Sequence, residues 1–322
     1  MANHTPKTIC IFGGTGFLGR HIVQDLARLG YRIKIVTRIP ESAYFLKPYG
    51  DVGQIAPIQC GYDEDSVTRA IQGSDVVINL VGILYEKGKA KFKKIHTDYP
   101  AMIAKICNDK KVTQFIHVSA LGVDKSLSKY GKSKLAGEKA VLLAYPKATI
   151  LRPSIVFGPD DGFFNMFAKM STIAPALPLI GGGTTKFEPV FVGDIAQSIA
   201  NLIANNLPNN ENPQGKIYEL GGPDVETFKE LLERLGETTG RKRALISIPV
   251  PIAKVQAAFM SLAPRPMLTM DQVKSLKTDN IVQDGALTFK DLGIKPKAME
   301  TILPTYLACY RRGGPFGNKK AA

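Results

Sequence analysis

Short apolar runs alternate with helix-like stretches through the first half of the chain. The pattern predicts strands at residues 7–12, 31–37, 75–81, 114–119 and 149–156, and helices at residues 17–29, 100–109 and 133–143. Buried strands separated by helices are typical of right-handed βαβ units, which build a parallel sheet with helices on both faces. We therefore predict an α/β domain with a doubly wound parallel sheet over residues 1–157.

The pattern changes in the second half. Residues 227–230 form a capping-box sequence that predicts the start of a helix ended by Gly240, and an apolar stripe at residues 252–262 predicts another helix. Glycine- and proline-rich segments interrupt these elements. We therefore predict a smaller α+β cap over residues 158–322, within which residues 185–220 return to the parallel sheet.

A glycine-rich segment, Gly13-Gly-Thr-Gly16-Phe-Leu-Gly19, lies between the first predicted strand and the first predicted helix. Glycines at this spacing allow a tight turn, a close approach of pyrophosphate to the backbone and close packing of the helix on the sheet. The phosphate then lies on the unpaired N–H groups at the positive end of the helix. A plain strand–helix turn is the alternative. We predict a dinucleotide-binding Rossmann domain with loop contacts from Gly13, Thr15, Gly16, Phe17, Leu18 and Gly19.

The end of the second predicted strand indicates which dinucleotide is bound. An NAD site usually has a carboxylate about 20 residues beyond the glycines, which accepts a hydrogen bond from the ribose 2′-hydroxyl. This chain has Arg38 there, and the next acidic residue is Glu41. An arginine fork binds a 2′-phosphate, and Arg20 is a second candidate for that group. We therefore predict NADPH or NADP+ rather than NAD(H), with Arg38 as an ordinary surface residue as the alternative.

Tyr130 and Lys134 are four residues apart in a predicted helix, so their side chains share one face. Beside a nicotinamide, a lysine ammonium lowers the pKa of such a tyrosine and holds the ribose, and the phenol donates or accepts a proton. The pair follows a predicted strand that ends at Ser119. Tyr130 and Lys134 are therefore the candidate catalytic pair, or ribose-binding residues where no reaction occurs.

These motifs together resemble the extended or atypical short-chain dehydrogenase/reductase family over about residues 7–245. Three further segments carry the resemblance: Asn79-Leu-Val-Gly82, Leu151-Arg-Pro153-Ser-Ile-Val-Phe-Gly158-Pro and Glu188-Pro-Val-Phe-Val-Gly-Asp194-Ile-Ala. The resemblance implies that Val81 and Gly82 border the adenosine ribose. It also implies that Pro153 and Ile155 border the nicotinamide.

The chain departs from that family at two places. The family's catalytic serine aligns with Ala120, and Ser119 lies one position earlier. The family's adenine-contacting aspartate is missing from Cys60-Gly61-Tyr62, so Tyr62 is the side chain expected beside the adenosine. Without a hydroxyl to polarise a substrate carbonyl, a tyrosine binds ribose while the chemistry is slow or absent. The resemblance thus implies a retained cofactor site that includes Ser119, and an eroded chemical site.

Three other segments narrow the resemblance: Phe157-Gly-Pro-Asp-Asp-Gly-Phe-Phe-Asn165, residues 267–280 and residues 306–312. They are similar to the Rossmann-type NAD(P)H-binding accessory subunit of respiratory complex I, in particular to bacterial relatives that lack a presequence. This resemblance implies a structural or assembly component that holds NADPH without turning it over. It also implies partner subunits of a membrane-peripheral respiratory arm, at the cytoplasmic face of a bacterial inner membrane.

Two other functions stay open at this point. The retained Tyr130 and Lys134 fit an active NADP-dependent reductase, dehydrogenase or epimerase that acts on a sugar nucleotide, a lipid or a quinone-like substrate. In such an enzyme the Ser119 hydroxyl or a cap residue is the carbonyl donor. A redox sensor that reports NADPH occupancy to a protein partner is the third function. Whether the chain is an enzyme is therefore undecided by its motifs.

The net charge of the chain indicates which kinds of partner to expect. The chain has 42 Lys and Arg against 28 Asp and Glu, a net charge of +14, which indicates an acidic partner. A lysine-rich loop at residues 87–94 and the stripe at residues 252–262 are candidate contacts with anionic lipid, with a solvated loop and a core helix as alternatives. We expect no nucleic-acid site, metal site or disulfide framework. With no bilayer-length apolar run and no signal peptide, a peripheral or cytoplasmic protein is expected.

Overall fold

A seven-stranded parallel sheet forms the centre of this computed structural model, which describes residues 6–260 and 268–314. The strands, in chain order, are β1 (Thr8–Phe12), β2 (Arg32–Thr37), β3 (Ile55–Gln59), β4 (Val76–Asn79), β5 (Gln114–Val118), β6 (Thr149–Pro153), β7 (Val156–Phe157), β8 (Ala176–Ile180), β9 (Lys186–Phe187), β10 (Val190–Phe191), β11 (Ile217–Leu220), β12 (Glu226–Thr227) and β13 (Ala244–Ile248). The helices are α1 (Phe17–Arg28), α2 (Glu64–Ile71), α3 (Tyr99–Asp109), α4 (Lys129–Ala144), α5 (Phe164–Ile173), α6 (Val192–Ala204), α7 (Phe228–Thr239), α8 (Val250–Met260), α9 (Met270–Ser275) and α10 (Met299–Leu307). A π-helical turn, Lys93–Asp98, leads directly into α3.

The strand order across the sheet is β3-β2-β1-β4-β5-β6-β11, and the neighbouring strands are parallel. Ile9 of β1 lies opposite Ile33 of β2 on one side and opposite Val76 of β4 on the other. From β1 the chain first adds β2 and β3 on one side of the sheet and then returns to add β4 on the other side. This reversal opens a crevice at the carboxyl ends of β1 and β4, where such folds bind ligands. The predicted doubly wound sheet is confirmed.

The apolar pattern does not predict β3 or α2. β3 is the edge strand of the sheet, it contains Pro57, and of its five residues only Ile55 is fully buried. An edge strand of this kind tolerates proline and carries a weak apolar signal. α2 is only eight residues long, and its N-cap is Asp63, whose carboxylate accepts a hydrogen bond from the Ser66 N–H at 2.8 Å. Both elements are therefore short, and β3 in addition carries a weak apolar signal.

Helices cover both faces of the sheet and bury an apolar core on each. On one face, Leu26 of α1 and Ile199 of α6 pack against the sheet. On the other face, the core includes Val67 of α2, Ile103 of α3 and Val141 of α4. Fully burying an aliphatic side chain contributes roughly 1.5–3 kcal/mol, so these layers fix the helices that carry the site.

The cap has its own apolar core. Phe164 and Phe167 of α5, Leu231 and Leu235 of α7, and Leu303 of α10 form one buried cluster. By contrast, α6 packs on α1 and β11 pairs with β6, so these two elements lie with the sheet although they come after the first cap residues. The cap is thus interleaved with the sheet domain along the chain.

The predicted capping box and stop of α7 are confirmed. The Thr227 Oγ1 accepts a hydrogen bond from the Glu230 N–H, and the Glu230 carboxylate accepts one from the Thr227 N–H at 2.7 Å. Gly240 ends the helix with a φ of 64°, in the left-handed region that favours glycine. The sequence signal and the structure agree at both ends.

The apolar stripe in α8 does not form domain core as a whole. Ile252 and Val255 are each 59% exposed, whereas Ala253 and Ala257 are buried. The core-helix interpretation is therefore wrong for Ile252 and Val255, because the described side chains that α8 buries are Ala253 and Ala257. The side chain of Phe259 and the whole of Leu262 lie outside the described residues. Among the described helices, none is long and apolar enough to cross a membrane.

Candidate nucleotide-binding and active site

The glycine-rich segment forms a tight turn at the crevice. Gly13 has a φ of +84°, and a Cβ there would lie 3.2 Å from the Leu80 carbonyl carbon of the neighbouring strand end. A Cβ on Gly19 would lie 2.4 Å from the Gly13 oxygen, so only glycine lets α1 start this close to the loop. Among the described residues, no side chain caps α1, whose N-cap is Gly16. The first N–H groups of α1 therefore fit a phosphate.

Two cations converge on one aromatic ring at the end of β2. The Arg38 Cζ lies 5.8 Å from the centre of the Tyr62 ring, and the Lys94 Nζ lies 5.2 Å from the same centre. Tyr62 in turn packs edge-on against Tyr99, with ring centres 4.8 Å apart. The structure thus brings together Arg38 and Tyr62, which were both predicted from the sequence. It also adds Lys94, which in the sequence is only one of several lysines in the segment 87–94.

Arg20 has a different partner. Its Nη1 lies 2.9 Å from a carboxylate oxygen of Asp160, in the loop that follows β7. This ion pair directs Arg20 toward the cap, so the expectation that it assists Arg38 is not supported. The reason is that residues 158–162 return to the start of α1, which the sequence does not reveal.

Tyr130 and Lys134 lie on the first two turns of α4, where Ser128 is the N-cap. Lys134 is buried, and its Nζ donates a hydrogen bond to the Val118 carbonyl at 2.8 Å. Burial lowers the pKa of Lys134 to about 8, against the opposing charge of Glu138. Burial raises the pKa of Tyr130 to about 12. The phenol of Tyr130 is therefore protonated at neutral pH in the chain by itself. The lowering of its pKa by Lys134 beside a nicotinamide stays a prediction.

His96 lies beside Tyr130 and was missed by the motif analysis. Its Nε2 accepts a hydrogen bond from the Ile83 N–H at 3.0 Å, and its Nδ1 lies 2.8 Å from the Ser133 Oγ, which donates to the Tyr130 carbonyl at 2.7 Å. This network requires the neutral Nδ1–H tautomer. Burial, and secondarily the charge of Lys134, lowers the pKa of His96 to about 3. His96 thus fixes the loop after β4 to the start of α4.

Ser119 supplies a buried hydroxyl at the end of β5. Its Oγ has no hydrogen-bond partner within the described part of the chain, although the residue is only 5% exposed. A buried hydroxyl without a partner costs about 1–3 kcal/mol, which a ligand at this position would offset. Ala120, at the aligned serine position, offers no polar side-chain atom.

The remaining predicted contacts lie at the same edge of the sheet. Val81 and Gly82 follow β4, and the Val81 N–H donates to the Asn79 side-chain oxygen at 3.1 Å. Pro153 ends β6, and Ile155 comes two residues later. The carboxyl ends of β1, β2, β4, β5 and β6 thus present the predicted residues to one crevice. The glycine turn and the unpaired Ser119 hydroxyl together fit a nicotinamide dinucleotide.

A buried ion triad holds α4 against the sheet. The Arg152 Nη2 lies 2.7 Å from a Glu138 oxygen on α4, and its Nη1 lies 3.2 Å from a Glu219 oxygen on β11. All three side chains are nearly inaccessible to solvent. Removal of one partner from such a buried group leaves an uncompensated charge, so the triad keeps α4 and its Tyr130 in place.

A cap residue reaches the start of the same helix. The two carboxylate oxygens of Asp271 accept hydrogen bonds from the Lys129 and Tyr130 N–H groups at 2.7 and 2.8 Å. A carboxylate at a helix N-terminus is stabilised by the helix dipole. Asp271 therefore connects α9 of the cap directly to the backbone of the candidate acid–base tyrosine, a contact that spans 141 residues of sequence.

The fold and this site define a nicotinamide-dinucleotide-binding protein of the short-chain dehydrogenase type. Residues 9–221 match the profile of the NAD dependent epimerase/dehydratase family, and the chain belongs to that family. The chain is 38% identical over 322 residues to the mitochondrial NADH dehydrogenase (ubiquinone) 1 alpha subcomplex subunit 9 of Arabidopsis thaliana, which covers 96% of this chain and 79% of that protein.

An enzyme and a solved structure are also similar. The ceramide reductase of Caulobacter vibrioides is 30% identical over 264 residues, which cover 78% of this chain and 76% of the enzyme. The structure of an NADPH-dependent quinone oxidoreductase from Escherichia coli superposes with a TM-score of 0.71 at 20% identity, over 93% of this chain and 98% of that one. At that identity the likeness concerns the fold.

Proposed function

We propose that this chain is an accessory or assembly subunit of respiratory complex I that holds NADPH and does not turn it over. The observation that carries the proposal is the near full-length similarity to subunit 9 of the mitochondrial NADH dehydrogenase alpha subcomplex, at 38% identity. If the similarity reflected only a shared nucleotide-binding domain, it would end near residue 221, where the family profile ends. The similarity instead includes the cap.

The positive charge of two side chains near the end of β2 supports NADPH over NADH. Arg38 and Lys94 lie against Tyr62 at the end of β2, where an NAD site has a carboxylate. Two cations near one ring repel each other, and a 2′-phosphate placed between them removes that repulsion. The phosphate's charge and its oxygen acceptors match a guanidinium fork.

In this proposal, different residues of the chain hold different parts of the coenzyme. The first turn of α1 binds the pyrophosphate, Arg38 and Lys94 bind the 2′-phosphate, and Ser119 hydrogen-bonds a group at the nicotinamide end. The bound coenzyme would supply a hydride, which requires a substrate carbonyl polarised by a donor. Ala120 removes the usual second donor, which supports a holding role over a catalytic one.

The proposed location is the cytoplasmic face of a bacterial inner membrane, as a peripheral subunit. The net charge of +14 supports a contact with anionic partners, whether neighbouring subunits or lipid. In the lysine-rich loop, Lys89 and Lys91 are exposed, which suits such a contact. Lys94 is assigned instead to the nucleotide.

The proposal is tested in the native organism. Purification of the chain from membranes under mild conditions is expected to recover NADPH at close to one equivalent, identified by extraction and chromatography. Deletion of the gene is expected to reduce the amount of assembled NADH:quinone oxidoreductase on native gels. An intact, fully active complex that lacks this chain in wild-type membranes contradicts the proposal.

A second function is favoured by one observation, the similarity to a ceramide reductase over 78% of the chain. In an active NADP-dependent reductase of a lipid-class carbonyl substrate, the Tyr130 phenol, protonated because its pKa is about 12, would donate the proton to the carbonyl oxygen. Ser119 would be the second donor. Substrate-dependent NADPH oxidation that is lost in Tyr130→Phe but kept in the exposed control Tyr44→Phe establishes this function. A Tyr130→Phe effect on coenzyme affinity alone excludes it.

A further inference from the structure

A second charged feature lies in the cap, in elements that the nucleotide site does not use. At the C-terminal end of α7, a cavity of about 530 Å³ is lined by Gly236, Glu237, Gly240, Arg241, Lys242, Arg243 and Arg312. Of these described lining residues, four are cationic and only Glu237 is acidic. None of the four cations forms an ion pair with any described residue. The side chains that line the cavity therefore carry more positive than negative charge.

Two of the arginines are fixed in place by the backbone. The Arg241 Nε donates to the Tyr310 carbonyl at 2.6 Å, and the Arg243 Nε donates to the Ser171 carbonyl at 2.8 Å. These bonds use the inner nitrogen of each guanidinium and leave its two terminal nitrogens for another acceptor. A guanidinium held in this way loses little further freedom when it binds an oxyanion. The site is thus prepared for an anion.

The chemistry of the lining favours a phosphate group. Guanidinium forks match the tetrahedral oxygens of a phosphate, and the lysine adds a point charge. Like charges confined to one cavity repel each other, so a bound anion lowers the electrostatic free energy of the cap. The volume exceeds what an inorganic ion needs and accommodates a phosphate with its substituents.

Two exposed apolar side chains lie near the arginines of this cavity along the chain. Ile246 on β13 comes three residues after Arg243 and is 57% exposed. Ile173 comes two residues after Ser171, the residue bonded to Arg243, and is 82% exposed. A cationic site with an apolar margin is typical of a surface that meets a phospholipid headgroup and the interfacial part of its chains. A soluble phosphate needs no such margin.

We propose that this cavity binds the phosphate of an anionic phospholipid, with Ile173 and Ile246 facing the membrane interface. The proposal places a lipid site in the cap, remote in sequence from the lysine-rich loop at residues 87–94. It requires neither the coenzyme nor the respiratory complex. Its failure and that of the proposed function are therefore distinguishable.

The first test is a flotation assay with the full chain and vesicles of phosphatidylcholine, with or without 25–30% phosphatidylglycerol (about this fraction suffices for a clear surface charge). The variant Lys242→Gln/Arg312→Gln removes two exposed charges that make no described side-chain bond. The control Lys139→Gln/Lys147→Gln removes two exposed charges on and after α4. The cavity variant is expected to weaken binding to anionic vesicles roughly thirtyfold, because each basic residue contributes about 1 kcal/mol and 1.4 kcal/mol is tenfold.

The outcomes separate the alternatives. Equal weakening in the cavity variant and the control means that only net charge matters, and it overturns the proposal, as does no weakening in either. The second test titrates dihexanoyl phosphatidylglycerol and inorganic phosphate into the chain by calorimetry, with NADP+ present to fill the nucleotide site. Tighter binding of the lipid than of phosphate, lost in the cavity variant, supports a headgroup site. Equal affinities for the two overturn the lipid assignment.

Discussion

Replacement of Arg38 by alanine isolates the contact that separates the two nicotinamide coenzymes. Arg38 is exposed and stands directly after β2, with its guanidinium beside the Tyr62 ring. Among the described residues it has no ion-pair partner, so its removal breaks no intramolecular salt bridge. The fold should therefore tolerate the change, and any loss of affinity belongs to the nucleotide.

The magnitude follows from the type of bond. A hydrogen bond to a charged group contributes about 1.5–3 kcal/mol, and an exposed site lies at the lower end because water screens it. Arg38→Ala is thus expected to weaken NADPH binding by roughly 1.5–2 kcal/mol, which is roughly tenfold to thirtyfold, while NADH binding changes less than about twofold. Lys94→Ala is expected to cost about 1 kcal/mol, because an exposed point charge contributes less than a bidentate fork.

Fluorescence or calorimetric titration of both coenzymes at constant ionic strength measures these effects. Arg32→Ala is the matched control, since Arg32 is an exposed arginine at the opposite end of the same strand. The preference for NADPH should also shrink below about pH 6, where a phosphomonoester gains a proton, and Arg38→Ala should flatten that dependence. An equal loss for NADPH and NADH, or an equal loss in Arg32→Ala, refutes the 2′-phosphate role.

Three further predictions concern the scaffold of the site. Glu138→Gln leaves the buried Arg152 charge undercompensated, and urea unfolding should show a loss of about 3 kcal/mol, against less than about 1 kcal/mol for Glu211→Gln in an exposed pair. The folded pKa of His96, about 3, lies below its usual 6.5, so the unfolded chain takes up the proton first as pH falls and stability is lost below about pH 6.5. His96 should contribute roughly 2 kcal/mol of the loss at pH 5, so the loss between pH 7.5 and pH 5, measured by urea unfolding, should be smaller by about that amount in His96→Gln. His117 and His21, whose pKa values burial also lowers, contribute to the loss in both proteins. Gly19→Ala forces a Cβ to within 2.4 Å of a backbone oxygen and should weaken NADPH and NADH alike by at least about tenfold in the same titrations; unchanged affinity contradicts the cradle.

The sheet domain is predictable from the sequence because its central strands are buried on both faces. The runs around Ile9, Ile33 and Val76 are nearly continuous in apolar residues, and each pairs with a neighbour in the sheet. The edge strand around Pro57 and the short α2 carry no such signal, since one side of each is exposed to solvent. The outward direction of Ile252 is equally hidden, because the pattern shows a stripe but not which surface faces it.

The candidate site is predictable only where a local motif specifies it. Gly13, Arg38 and Tyr130 each follow from their position after a strand or within a helix. Lys94 and His96 come from the π-helical turn before α3, and only the three-dimensional fold brings them to Tyr62 and Tyr130. Contacts across so many residues of sequence leave no trace in spacing or periodicity, so motif analysis assigns such residues to the solvent or the core.

The tyrosine–lysine motif has structural contacts that are independent of catalysis. Lys134 donates to the Val118 carbonyl at the end of β5, and the backbone of Tyr130 is bonded to Asp271 of the cap. Ser133, within the motif, joins the Tyr130 carbonyl to His96. Loss of these bonds would separate α4 from the sheet, from the cap and from the loop after β4, whether or not a hydride is ever transferred. The presence of the motif is therefore consistent with a coenzyme held as a structural element, and it cannot by itself count as evidence for turnover.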